Sequence, residues 1–312
     1  MRKLVFILFV LLAYLLFRPI LGDVWYTMHD TTHIARTYLL EKSLGSGQIP
    51  ALWAADLLEG RGYPLFHFYA PLVYYLALLF KFITGSYFLG FKTLLILTAI
   101  TGMTGMYFLT RRYGRASGII ASVAYSILPY AAVNLYVRGA YAEYLAMALL
   151  PWVFYCWTDL TTKKSQLRAG LVTALFLLSH NLIPIITTPF LFGWILLHWT
   201  KRATHYLLPF ILILTLSAFY LIPLLFERNF VQADQIAQTT DYSLHFVSPS
   251  QIWNSTWGFG GSAPGVEDGM SFKLGKLQLI LAVLGALLAF FMATSYSSFL
   301  WQSLPFLRIV PP

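Results

Sequence analysis

The chain has 312 residues, of which 58% are hydrophobic and 11% are charged, whereas a soluble domain carries roughly one-quarter charged residues. This composition excludes an ordinary soluble protein and indicates an integral membrane protein. The net charge of +9 comes from basic residues in short loops between apolar runs, so it favours membrane orientation and contact with anionic lipid and argues against nucleic acid as a partner.

Eight apolar runs can be compared with the ~20 residues that one membrane-spanning helix needs. They lie at 4–21, 64–83, 89–109, 116–135, 143–158, 169–199, 206–226 and 277–293. The first run follows Arg2 and Lys3 without a cleavage signal after it, which predicts an uncleaved first helix with a cytoplasmic N-terminus. The predicted fold class is an all-α polytopic transmembrane helix bundle of about eight spans, with residues 1–312 as a single membrane domain.

Two of these runs are not predicted to be single spans. If 64–83 crossed the membrane, the basic loops at 111–115 and 163–168 would both face outward, against the positive-inside rule. We therefore predict that it lies at the outer interface or enters and leaves on the outer side, with an ordinary span as the alternative. The run 169–199 is too long for one span at ~1.5 Å per residue and has polar residues and proline at 180–184, so it predicts two short helices.

The acidic residues then lie almost entirely on one side of the predicted membrane. Eleven of the twelve Asp and Glu residues fall on the outer side and only Asp159 on the inner side, while the inner side holds ten of the 21 Lys and Arg residues. The outer segments are 22–88, 136–142, 180–184 and 227–275. This sidedness predicts chemistry at the outer face, where the first outer loop carries juxtamembrane helices.

The first outer loop contains a carboxylate, an imidazole and a guanidinium at helical spacing. Asp30, His33 and Thr37 are related as i, i+3 and i+7, with Arg36 alongside. This combination suits a phosphate or a metal ion, and an acid beside a cationic group can act as a general base. A solvated helix face with Asp30 as a capping residue is the alternative.

The turn at 138–143 holds the only charges in a long apolar stretch, Arg138 and Glu143. Charges at membrane depth are costly, which favours a functional role, with an interface ion pair or a snorkelling arginine as the alternative. In the aromatic run 64–83, His67 and Tyr69 are further candidates for binding substrate or phosphate.

The second outer loop, 227–275, is long enough to be structured or functional. Its aromatic side chains are of the kind that stack on sugar rings, and they are Tyr242, Trp253, Trp257 and Phe259. Glu267 and Asp268 beside glycines are weak metal candidates, and a polar turn is the favoured interpretation.

The remaining polar residues give no recognisable catalytic motif. His180 and Asn181 are interpreted as a polar pair at a helix end. The single cysteine, Cys156, excludes an internal disulfide and a cysteine metal cluster. The sequence contains no phosphate-cradling glycine loop, nucleophile elbow or HExxH motif, so no nucleotide site is predicted on the cytoplasmic side.

Three segments carry a resemblance to a known superfamily, and they are HDTTH, GYPLFHFYAPLVYYL and VRGAYAE. With one span, a long outer loop containing an acid, an aromatic interfacial segment and short basic inner loops, the chain resembles the glycosyltransferase-C superfamily. More narrowly, it is similar to bacterial membrane proteins labelled 6-pyruvoyl-tetrahydropterin synthase related, a label that implies no pterin chemistry here. The resemblance covers essentially the whole chain.

The resemblance implies transfer of a sugar from a polyprenyl phosphate donor to a lipid, glycan or protein acceptor outside the cytoplasm, at a bacterial plasma membrane. It implies that Asp30 is catalytic, as a base or as a ligand of a divalent metal ion such as Mg or Mn, and that Glu143 is a second catalytic acid. Arg36 or Arg138 would hold the donor phosphate. The expected partners are membrane lipid and the lipid-linked donor, and the acceptor stays open.

The chain departs from the superfamily pattern in two places. His29 stands where many relatives carry a second acid, which puts metal dependence in question, and the sequence stops at Pro312, so we expect an N-terminal fragment or a missing acceptor-binding part. Two other functions stay open. A transporter of lipid or sugar-lipid is disfavoured by nearly charge-free span interiors and the absence of repeated halves, and a non-catalytic assembly subunit would share the fold.

Overall fold

The structure, a computed structural model, describes residues 2–22, 25–199, 202–231 and 242–303. These residues are mostly helical, and the β-type pairings among them are two isolated bridges. The α-helices are α1 (Arg2–Phe17), α2 (His33–Gly45), α3 (Leu65–Phe68), α4 (Leu72–Thr84), α5 (Tyr87–Thr110), α6 (Arg115–Ser126), α7 (Pro129–Val133), α8 (Tyr141–Cys156), α9 (Lys163–Ser179), α10 (Ile183–Leu197), α11 (Thr204–Phe226), α12 (Pro249–Trp253), α13 (Lys276–Met292) and α14 (Ser298–Ser303). The all-α class is confirmed, and residues 232–241 of the predicted second outer loop lie outside the described residues.

Three helices among the described residues are long and apolar enough to cross a membrane, namely Tyr87–Tyr113, Arg115–Arg138 and Thr204–Phe226. The shorter apolar helices are Leu4–Ile20, Leu72–Thr84, Ile183–Leu197 and Lys276–Met292. A membrane protein is therefore confirmed, but the predicted count of about eight spans is not. Runs such as 143–158 and 169–199 form helices of 16, 17 and 15 residues, each shorter than the ~20 residues of a full span.

Two apolar runs break where their local chemistry requires it. The run 169–199 forms α9 and α10, as predicted. The run 116–135 lies within the helical stretch Arg115–Arg138, which is interrupted at Leu128 between α6 and α7. Leu128 has extended backbone at that point because Pro129 follows it and disfavours the helical conformation of its predecessor.

The run 64–83 forms the two short helices α3 and α4, separated by extended backbone at Tyr69. With 13 residues, α4 is ~20 Å long, whereas the hydrocarbon core of a bilayer is ~30 Å thick. It ends at Gly85, whose φ of +74° suits glycine at a helix terminus. Because α4 is too short to cross alone, an interfacial or re-entrant position is favoured, and its side of the membrane stays a prediction.

The helix α5 is the centre of the bundle. It packs against α4, α6 and α8, while α8 packs against α9 and α9 against α11. Small residues allow α5 and α8 to approach, since a methyl group at Gly105 would lie 2.6 Å from the ring of Trp152. The two helices run parallel, with Phe91 beside Tyr141 at their starts and Phe108 beside Tyr155 towards their ends. Their starts define one end of the bundle, and their ends define the other.

Candidate functional site

Asp30 lies just before α2, at the end of the bundle where α5 and α8 start. Its Oδ1 accepts hydrogen bonds from the backbone N–H of Thr32 at 3.1 Å and from the Thr32 hydroxyl at 2.6 Å. Its Oδ2 accepts one from Nη1 of Arg36 at 2.8 Å. The contact between Asp30 and Arg36 agrees with the predicted grouping, and the buried hydroxyl of Thr37 donates to the backbone carbonyl of His33 one turn earlier.

His33 is buried and its protonation state follows from its two partners. Nε2 lies 2.5 Å from the carbonyl oxygen of Gly139, and Nδ1 lies 3.4 Å from the hydroxyl of Tyr74. A carbonyl oxygen only accepts, so Nε2 carries the proton and the Tyr74 hydroxyl donates to Nδ1. Burial lowers the pKa of His33 despite the Asp30 carboxylate 3.8 Å away, so the imidazole is neutral at neutral pH.

The Asp30 carboxylate is ionised, and the arginine beside it is fixed in place. Burial alone would raise the pKa of Asp30, but the Thr32 hydrogen bonds, His33 and Arg36 together hold it below its usual value. Arg36 also donates to the Tyr74 hydroxyl at 2.9 Å, and its guanidinium stacks 4.5 Å from the ring centre of Tyr69. The predicted candidate Tyr69 therefore belongs to this site as the aromatic support of Arg36.

Arg138 and Glu143 form a second acid–arginine pair. Nη1 of Arg138 lies 2.9 Å from Oε2 of Glu143 and 2.6 Å from Oδ1 of Asn134, and the Tyr130 hydroxyl donates to Oε1 of Glu143. Gly139 between them has a φ of +64°, a left-handed conformation that favours glycine and turns the chain into α8. Both carboxylate oxygens of Glu143 are engaged and the residue is buried, so its direct role is to hold Arg138.

Backbone pairing joins the two acid–arginine pairs. The N–H of His29 donates to the carbonyl of Val137 and the N–H of Asp30 to that of Arg138, each at 3.0 Å. A methyl group at Gly139 would lie 2.9 Å from the Asp30 carbonyl oxygen. The first outer loop is thus fastened to the 138–143 turn, which brings together the residues that the sequence predicts at the site.

His180 is a residue of this site that the sequence interpretation missed. Its Nδ1 accepts the backbone N–H groups of Leu182 and Ile183, each at 3.1 Å, so the predicted helix-end role is correct. Burial lowers the pKa of His180, and the charges of Glu143 and Arg138 also act on it. Only the packing of α9 against α8 brings them together.

His67, a predicted candidate for binding substrate or phosphate, lies between the first outer loop and the end of α11. Its Nδ1 lies 3.1 Å from the carbonyl oxygen of Leu52 and its Nε2 lies 3.2 Å from Oε2 of Glu227. Both ring nitrogens therefore bind the protein's own chain and fasten α3 to the end of α11. This contact also brings the second outer loop to the same end of the bundle.

The second outer loop contributes aromatic residues to a cleft beside His29. The cleft has a volume of about 610 Å³ and is lined mainly by apolar surface, including Tyr26, Tyr136, Trp257 and Phe259. Nε2 of His29 lies 3.0 Å from the carbonyl oxygen of Phe259, which closes one side. Trp253 contacts Lys276 instead of this cleft, and the side chain of Tyr242 lies outside the described part of the structure.

The candidate metal ligands are not assembled into a metal centre. Asp268 binds the amide of Gln251 and the backbone N–H of Ala263 at 2.8 Å, so it stabilises its own loop, and Glu267 is exposed. In the described ranges, no group of three His, Cys, Asp or Glu side chains could hold a metal ion. At Asp30 the donor set is one carboxylate already bound by Arg36, which does not fit a divalent cation that prefers several oxygen ligands. A Mg or Mn requirement stays a prediction.

Comparison with known proteins gives one match. The family described as 6-pyruvoyl-tetrahydropterin synthase related domain, membrane protein, matches residues 66–312. The matched part includes Arg138, Glu143 and His180 and begins after Asp30 and Arg36. Neither the curated proteins nor the solved structures compared with the chain gave a match.

Proposed function

The chain belongs to the membrane protein family described as 6-pyruvoyl-tetrahydropterin synthase related, and on that premise we propose that it transfers a sugar from a polyprenyl phosphate donor to an acceptor on the outer face of the membrane. The proposal follows the resemblance to the glycosyltransferase-C superfamily. The observation that carries it is the ionised carboxylate of Asp30, held in one orientation by Thr32 and Arg36 and joined through the backbone to a second arginine, Arg138.

Asp30 has the capacity to bind an acceptor hydroxyl or amine. An ionised carboxylate offers about four lone-pair positions, and the recorded hydrogen bonds to Asp30 are two from Thr32 and one from Arg36. Its side chain is 28% exposed, so a further donor has access to it. An acceptor held there would meet a fixed negative charge without reorganisation of the site.

The two arginines supply the positive charge that a phosphate requires. In the described structure, the hydrogen bonds recorded for the guanidinium groups of Arg36 and Arg138 all come from Nη1. Their other N–H groups are left to bind phosphate oxygens, which the planar guanidinium matches bidentately. Glu143 and Tyr69 act as positioning residues that hold these two arginines.

The proposed reaction needs no nucleotide, because the polyprenyl phosphate is the leaving group. The acceptor oxygen or nitrogen attacks C1 of the sugar, and the bond from C1 to the phosphate oxygen breaks with its electron pair remaining on the phosphate. The proton of the acceptor moves to Asp30, and the arginines stabilise the charge that grows on the leaving phosphate. The aromatic cleft beside His29 suits the sugar ring or the first isoprenoid units of the donor.

The test compares Asp30→Asn with Asp56→Asn in the full-length purified protein. Asp56 is an exposed acid of the same loop that pairs with Lys42, so the control removes an equal charge away from the site. With a labelled polyprenyl phosphate sugar and envelope lipids as acceptors, Asp30→Asn should lower turnover ~10²-fold or more, and Asp56→Asn should leave it unchanged. Turnover of Asp30→Asn within a few-fold of wild type would reduce Asp30 to a turn residue.

A further inference from the structure

A second large cavity lies at the opposite end of the bundle, where α5 and α8 end. It has a volume of about 780 Å³ and is bounded by α1, α5, α6, α8 and the short connection between α5 and α6. α5 has 24 residues, so this cavity lies ~36 Å along the helix from the Asp30 end. It is separate from the site assigned to sugar transfer.

The cavity is positively charged and has no acid in its lining. Arg111, Arg112 and Arg115 line it, and none of the ion pairs recorded in the described residues involves Arg111 or Arg112. Asp159, the acid next to the lining residue Thr158, accepts hydrogen bonds from the backbone and hydroxyl of Thr161. An anion that enters the cavity therefore meets the guanidinium groups of Arg111 and Arg112, for which the described residues record no carboxylate partner.

Aromatic rings lie against the guanidinium groups of Arg111 and Arg112. Cζ of Arg111 lies 4.4 Å from the ring centre of Phe108, and Cζ of Arg112 lies 4.8 Å from that of Tyr113 and 5.3 Å from that of Trp194. Stacking on a ring fixes the plane of the Arg111 guanidinium and leaves N–H groups at its edge to bind phosphate oxygens in pairs. Arg112 is also oriented by hydrogen bonds, since its Nη2 donates to the Tyr113 hydroxyl at 2.7 Å and its Nη1 lies 3.4 Å from Nε2 of His198. The arginines are thus partly organised for a phosphate before it arrives.

Much of the remaining wall is apolar. Val5 of α1, Leu109 of α5 and Ile119 of α6 line the cavity together with the arginines. A ligand that fits both parts carries a phosphate at one end and a hydrocarbon chain at the other. Basic pockets between membrane helices have this combination when they bind anionic lipid headgroups.

We propose that this cavity binds an anionic phospholipid, with its phosphate against Arg111 and Arg112 and an acyl chain along α1 and α6. The proposal does not depend on sugar transfer at Asp30. A free phosphate has the same charged group without the chain, so the two sources can be separated by experiment.

The experiment measures lipid binding to the full-length protein by native mass spectrometry in a neutral detergent. The cavity variant is Arg111→Gln with Arg112→Gln, and the control is Lys163→Gln with Lys164→Gln, which removes two exposed charges from the same end of the bundle outside the cavity. Phosphatidylglycerol should bind wild type and control with similar affinity and the cavity variant about tenfold or more weakly. Phosphatidylcholine should bind all three weakly.

Three results would overturn the proposal: equal affinity of wild type for the two lipids, equal weakening by the control and cavity variants, or full displacement of phosphatidylglycerol by millimolar inorganic phosphate. If the glutamine variant does not fold, Arg111→Lys with Arg112→Lys keeps the charge and removes the planar fork. That variant should also lose several-fold in affinity, and unchanged affinity would contradict the phosphate geometry.

Discussion

Asp30 and Glu143 are both acids bound by an arginine, yet their surroundings give them different chemistry. Both oxygens of each carboxylate accept hydrogen bonds, but the side chain of Asp30 is 28% exposed, whereas that of Glu143 is 6% exposed. Asp30 is therefore accessible to a reacting group, and Glu143 is positioned to hold Arg138. The resemblance implies two catalytic acids, and the geometry favours one acid at the reacting atoms with the other in support.

The burial of His33 predicts how the stability of the protein depends on pH. Burial lowers its pKa below the ordinary value of 6.5, so near and below that pH the unfolded protein binds more protons than the folded protein. The stability that neutral His33 contributes is present above pH 6.5 and is lost as the pH falls. Asp30, whose pKa is also lowered, contributes stability at a pH above its ordinary pKa of 3.8. This contribution is lost only when the pH falls below 3.8.

The measurement is the melting temperature of the purified protein between pH 7.5 and 5.5. Wild type should lose stability over this range, and His33→Gln, which has no proton to gain there, should lose less. The control His245→Gln changes an exposed histidine of the second outer loop and should keep the wild-type slope. A His33→Gln slope equal to that of wild type would show that His33 is not held neutral.

At the scale of elements, the sequence predicts contacts that are local and misses those made by packing. The pairs Asp30–Arg36 and Arg138–Glu143 join residues six and five positions apart, so they are local in the sequence although neither has the i+3 or i+4 spacing of one helix face. The electrostatic influence of Glu143 and Arg138 on His180 depends on the packing of α9 on α8, which no local pattern encodes. The span count is not confirmed by the described residues, since apolar composition alone does not show where a helix ends.

Gly139 lies where the 138–143 turn contacts the first outer loop, and its substitution is predicted to affect both stability and turnover. Its φ of +64° is strained for other residues, and an added methyl group would lie 2.6 Å from Sδ of Met28. Gly139→Ala should therefore separate the first outer loop from the 138–143 turn, with a loss of ~1–2 kcal/mol in stability and a larger loss in donor turnover. Gly45→Ala, in open space at the end of α2, should change neither. Turnover of Gly139→Ala at the wild-type level would show that the junction does not organise the site.

For the whole molecule, sugar transfer at Asp30 outside the cytoplasm requires that the bundle presents its two ends to different sides of a membrane. The Asp30 site, the 138–143 turn and the start of the second outer loop meet at one end, and Arg111, Arg112 and Arg115 lie at the other. The positive-inside rule then predicts that the arginine end is cytoplasmic.

Cysteine labelling of intact cells checks this orientation. With the buried Cys156 replaced by alanine, single cysteines are introduced as Ala116→Cys at the arginine end and Ser243→Cys in the second outer loop. An impermeant thiol reagent should label Ser243→Cys alone, and cell lysis should make Ala116→Cys reactive. Labelling of Ala116→Cys in intact cells, without labelling of Ser243→Cys, is the result that reverses the orientation.

The proposed donor at the Asp30 site is a lipid-linked sugar. The most direct test of this donor is to measure the turnover of matched donors by the purified protein. The same sugar is supplied on polyprenyl phosphates of increasing length and on a nucleotide. Buried methylene groups contribute ~0.8 kcal/mol each, so donor affinity should rise with the isoprenoid tail, and the nucleotide sugar should not react. Turnover with the nucleotide sugar alone, or affinity that does not change with tail length, would contradict the account.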